Sequence, residues 1–89
     1  MGHGTAPGGK VRAEFTIFPF EEGDDMPPHV QAGLDAIAAL GVDVEIGPLS
    51  NTIHGTASQV TDAMRAAEAA SFAAGATRIV VNLEAAHDR

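Results

Sequence analysis

The 89-residue chain is 45% hydrophobic, which supports one small domain with a single core and leaves no room for a second. Twelve acidic against five basic side chains give a formal charge of −7, and so sparse a set of cations argues against a nucleic-acid partner. The absence of cysteine excludes disulfides, thiolate catalysis and Cys-held metals; no apolar run approaches the roughly 18 residues of a membrane span and none near the N-terminus resembles a signal peptide, so a cytoplasmic protein with no membrane insertion is expected.

Residues 1–10 are rich in glycine and read as a flexible tail, ahead of one domain over residues 11–86 and a frayed end at 87–89. Residues 11–20 alternate. Val11, Ala13, Phe15 and Ile17 fall on one face and Arg12, Glu14, Thr16 and Phe18 on the other, as in a strand with one buried side. Pro19 ends it, and residues 20–25 form an acidic loop. A helix is expected to open at Pro27 and Pro28 and to close at Gly41, with Val30, Leu34, Ile37 and Ala38 as its apolar stripe and Gly33 permitting close approach. His29 is expected to face solvent on this helix.

Residues 42–46 alternate again, with Val42, Val44 and Ile46 inward and Asp43 and Glu45 outward. The stretch 47–55 then joins this strand to a third one through a turn too short for anything but a hairpin. Either Thr52 and His54 or Asn51 and Ile53 point away from the core, because a one-residue slip exchanges the two sets. Thr56 and Gln59 form a capping box for a second helix. Its buried stripe is Val60, Ala63, Met64, Ala67, Ala70, Ser71 and Ala74, with Phe72 off the stripe and Gly75 as the αL terminator. Residues 77–84 form the last strand, Ile79, Val81 and Leu83 inward.

The order βαββαβ is that of an α+β, ferredoxin-like domain: a four-stranded antiparallel sheet with two helices on one face. The predicted core is Val11, Phe15, Ile17, Leu34, Ile37, Val44, Ile46, Val60, Met64, Ile79, Val81 and Leu83. The opposite face carries Phe18 and Val80 among polar groups. That mixture suits a small-ligand pocket, a polar dimer interface or a solvated sheet. His54 raises general acid–base or metal chemistry, but no HxxxH, HxH or HxxE spacing accompanies it, so no metal site and no catalytic residues are assigned.

The segments 11–19 (VRAEFTIFP), 47–55 (GPLSNTIHG) and 68–78 (EAASFAAGATR), in this order and spacing, resemble the thiamine-binding protein family of the YkoF type from about Val11 to Glu84. The resemblance implies a ferredoxin-like domain that assembles into homodimers or homotetramers, is not an enzyme, needs no cofactor, and binds thiamine through its pyrimidine moiety. Glu14 and Pro19 match the family's first strand, Ser50, Asn51 and Thr52 its small-polar hairpin, and Gly55 its closing glycine; His54 stands where many relatives carry an acidic residue. The candidate ligand-binding residues are Ser50, Asn51 and Thr52 with Glu14, Thr16, Phe18 and Asn82. An aminopyrimidine would pair with Ser, Asn and Thr, its flat ring would pack on Phe18, and Glu14, Glu45 or Glu84 would accept the thiazolium charge. The alternatives are a regulatory module of the ACT kind and a small enzyme. An acylphosphatase would need a basic phosphate loop where residues 20–25 are acidic, and a monooxygenase more aromatics and a roomier pocket.

Overall fold

The structure, a computed structural model, describes residues 9–19 and 25–86; the flanking segments, most of the acidic loop and with them His3 and His87 lie outside the described residues. Among the described residues the order is β1 (Lys10–Phe18), α1 (Pro28–Ala39), β2 (Glu45–Ile46), β3 (Asn51–Thr56), α2 (Ala57–Ala73) and β4 (Arg78–Ala85). The strands form one antiparallel sheet in the order β2-β3-β1-β4, the ferredoxin-like arrangement.

Alternation does its work on β1, the central strand. Ala13, Phe15 and Ile17 are buried, and they meet Leu34 and Ile37 of α1, Ile53 of β3, and Val60, Ala63, Met64 and Ala67 of α2. Val11, Val30, Val42, Val44, Ile79 and Val81 pack around this centre while keeping some exposure. Small side chains on α2 let the two helices lie close, which is how an alanine-rich chain closes a core with few aromatics. Register settles the slip left open at β3: Ala13 pairs with Ile53 and Glu14 with Thr52, so Asn51 and Ile53 face the helices.

Helix ends follow their chemistry. The Pro27 carbonyl accepts from Val30 N at 3.0 Å and Gln31 N at 2.9 Å, opening α1, and Gly41 (φ 79°) and Gly75 (φ 111°) take left-handed conformations just past the two helices. At α2, Thr56 Oγ1 accepts from Gln59 N at 3.1 Å and Gln59 Oε1 accepts from Thr56 N at 2.9 Å, the capping box complete. Thr56→Ala is expected to cost about 1 kcal/mol in a urea titration; an unchanged midpoint would mean that packing alone fixes where α2 begins.

Four expectations need correction. Ile46 is 62% and Leu83 58% exposed, although both were expected in the core. Ile46 is on the two-residue edge strand β2 and Leu83 on the other edge strand, so alternation gave them a side of the sheet but no helix above them. Likewise Ala38 and Ala74, at the helix ends, are exposed. The second strand begins at Glu45 rather than Val42. His29 is buried at 6% exposure, its Nε2 donating to the Pro19 carbonyl at 2.7 Å, so it ties the start of α1 to the end of β1 instead of facing solvent.

Candidate ligand-binding face

The face of the sheet away from the helices presents four cross-strand rows. The first holds His54, Arg12 and Glu84; the second Glu45, Thr52, Glu14 and Asn82; the third Thr16 and Val80; the last Phe18 and Arg78. Arg12 and Glu84 form an ion pair at 2.8 Å. Both side chains are well exposed, so the pair orders the row more than it stabilises the fold.

The hairpin turn folds over the middle of this face. Gly47 N donates to Ser50 O at 3.0 Å, and a Cβ on Gly47 would stand 2.7 Å from that same oxygen, so only glycine closes the turn this tightly. The turn thereby aims two groups at β1. Ser50 Oγ donates to Glu14 Oε2 at 2.8 Å, and Thr16 Oγ1 donates to the Leu49 carbonyl at 3.1 Å. The turn thus holds one hydroxyl on the Glu14 carboxylate and one carbonyl on the Thr16 hydroxyl, and among the described residues the second Glu14 oxygen has no hydrogen-bond partner. Beside them the turn borders a groove of 430 Å³ lined by Glu45, Ile46, Gly47, Pro48, Leu49, Ser50 and Thr52.

Of the sequence candidates, Glu14, Thr16, Ser50 and Thr52 come together here. Asn82 is the register partner of Glu14 on the β4 side. Phe18 lies at the far end of the face, beneath Arg78, whose guanidinium carbon is 4.2 Å from the ring centroid. Asn51 is separated from the rest. It pairs with Phe15 on the helix-covered side and is 9% exposed, so the open face does not include it. Leu49 and Arg78 were not among the sequence candidates: Leu49 contributes through its backbone, which side-chain patterns do not report, and Arg78 through a partner that only register supplies. His54 shares a second open groove of 340 Å³ with Asp43, Glu45 and Gln59, and among the described residues no three His, Asp or Glu side chains converge as metal ligands. No helix among the described residues is long and apolar enough to cross a membrane.

A family model described as thiamine-binding protein matches residues 13–89. The chain belongs to the thiamine-binding protein family. Solved structures share its fold: a domain of unknown function from Bacillus cereus (21% identity, 96% of this chain and 82% of that one, TM-score 0.68); a hypothetical protein from Methanocaldococcus jannascii (20%, 90% and 81%, TM-score 0.64); and a proposed thiamine biosynthesis/salvage protein from Thermotoga maritima (20%, 89% and 84%, TM-score 0.63). No curated protein matches the sequence. For this family member the open face, crossed by the hairpin turn, is the surface that combines fixed hydrogen-bonding groups with a groove.

Proposed function

We propose that the protein binds thiamine, or its hydroxymethylpyrimidine moiety, without transforming it, and that it does so in the cytoplasm as a homodimer or homotetramer. The observation that carries this reading is the Glu14–Ser50 hydrogen bond, which holds a carboxylate at the turn with its other oxygen unpartnered among the described residues. An aminopyrimidine offers N–H donors and ring acceptors, and the open Glu14 oxygen with the Thr16 and Thr52 hydroxyls matches both kinds. The thiazolium charge is favoured by Glu14 and Glu45 and by the net charge of −7. Family membership supports the ligand class, and the Thermotoga maritima relative supports a link to thiamine biosynthesis or salvage.

Exposed Val80 on the open face, with Leu49 and Phe72 elsewhere, supports assembly; sedimentation at micromolar concentration is expected to show a species larger than the 9.1 kDa chain, and a clean monomer with and without thiamine would refute it. Calorimetric titration with thiamine and with free hydroxymethylpyrimidine tests the ligand. Heat is expected with both, and none with either at millimolar concentration ends this reading. Glu14→Ala should then weaken thiamine binding by about 1–3 kcal/mol, since a buried ligand N–H would lose its acceptor. An unchanged Kd would remove Glu14 from the site.

A further inference from the structure

β2 is two residues long, yet the strand it pairs with runs on. Their ladder ends at the rung Glu45–Thr52, while β3 continues to Thr56. Residues 42–44 keep the alternation of a strand: Val42 and Val44 pack at the margin of the core and Asp43 is exposed. Their backbone groups have no hydrogen-bond partner among the described residues. Gly41, at φ 79°, separates this segment from α1. A groove of 340 Å³ is bordered by Gly41, Val42 and Asp43 and by His54 and Gln59, and a second, of 300 Å³, is bordered by Val42 and Asp43 and by Leu34.

In an antiparallel ladder the N–H and C=O of one residue point to the same neighbouring strand, and successive residues alternate. Ser50 O accepts from Gly47 N across the turn, and Thr56 N donates to Gln59 Oε1, so the even-numbered residues of β3 turn their backbone away from β1. His54 stands between them, its N–H and C=O without a ladder partner. Continuing the register of Ile46–Asn51 and Glu45–Thr52 by two residues sets Asp43 opposite His54. Closing that rung adds two backbone hydrogen bonds and extends the row His54, Arg12 and Glu84 to one with a carboxylate at each end. Closure goes no further. The next bonded rung is Gly41–Thr56, where Gly41 N already donates to Ala38 O and Thr56 N to Gln59 Oε1.

We infer that residues 42–44 are a strap with two positions, open in this structure and closed as an extension of β2 that pairs Asp43 with His54, and that a ligand in the turn groove draws it shut. The coupling rests on the ligand reading above. Glu45 and Thr52, the last closed rung, both line the turn groove. A molecule that holds them together fixes the residues from which the next rungs grow, so less ordering remains to oppose the two new hydrogen bonds. The open position also keeps this rim of the sheet at two residues.

Amide hydrogen exchange, read by NMR on the full chain alone and with saturating thiamine, tests both parts. Alone, the amides of Asp43 and His54 are expected to exchange as fast as exposed ones. With thiamine both should slow at least about tenfold, while those of Val42 and Val44, which a closed strap turns to the outer rim, stay fast. Protection at Asp43 and His54 without ligand, or slowing at all four positions alike, overturns the strap. Asp43→Pro removes the closing N–H and should weaken thiamine about three- to tenfold, whereas Asp43→Asn keeps it and should not; equal losses would assign the effect to charge and overturn the coupling. The double variant Asp43→Thr with His54→Thr needs no thiamine: its β-branched pair should close the rung and slow both backbone amides. Amides that stay fast there and with thiamine bound leave no closed position, and the strap falls. Thiamine bound with fast amides, beside a double variant that closes, removes the coupling and keeps the strap. No thiamine binding, beside a double variant that closes, sinks the thiamine reading and the coupling with it and leaves the two positions standing.

Discussion

Phe15→Ala is expected to lower the unfolding free energy by about 3–5 kcal/mol, through lost burial and the cavity left behind. Phe15 is 1% exposed at the middle of a central strand, the largest side chain fully buried among the described residues. Domains of this size are stabilised by roughly 5–15 kcal/mol, so the variant should populate unfolded chain at modest urea and have a sharply lower midpoint. Phe72→Ala supplies the contrast. The same truncation on the exposed side of α2 should stay within about 0.5 kcal/mol in isolated chains. Equal losses at the two positions, read by circular dichroism in urea, would contradict the core described above.

Gly33→Ala has an expected sign opposite to that of helix propensity. Glycine inside a helix costs about 1 kcal/mol relative to alanine, so on propensity alone the change stabilises. Packing reverses this. A Cβ at Gly33 would fall on Ser71 Oγ and 2.9 Å from Ile17 Cδ1, at a contact where Ser71 is fully buried. The helices must part or the side chains leave their rotamers, at about 1–3 kcal/mol. Ser71 Oγ has no hydrogen-bond partner among the described residues, so Ser71→Ala alone should be close to neutral. Combined with Gly33→Ala it should recover at least about 0.5 kcal/mol of the loss. Full additivity of the two changes in a urea double-mutant cycle would place the strain elsewhere.

Much of this architecture was legible because period and punctuation agree. β1 alternates, α2 carries both halves of its capping box, and glycines stand just beyond both helices. Reach was not legible. Alternation assigns Ile46 and Leu83 to the helix side of the sheet but says nothing of how far the helices extend over its edges, and there they stop short. The register of β3 was equally hidden, since Asn51 with Ile53 and Thr52 with His54 are both acceptable inward pairs until Ile53 is set against Ala13. That one choice divides the candidate site, keeping Thr52 beside Glu14 and sending Asn51 to the other face. His29 escaped for a related reason: its partner is a backbone carbonyl, and composition carries no trace of it.

The two rims of the sheet are of very different length, eight residues on β4 and two on β2. A strand edge is a template for adding further strands, and open-ended fibres grow when one rim of a molecule accepts the opposite rim of the next. Here that head-to-tail addition has only two residues to hold on to. A full-length ladder is available only where one β4 meets another, and that pairing uses up both long rims at once, so edge-wise growth in this fold terminates itself.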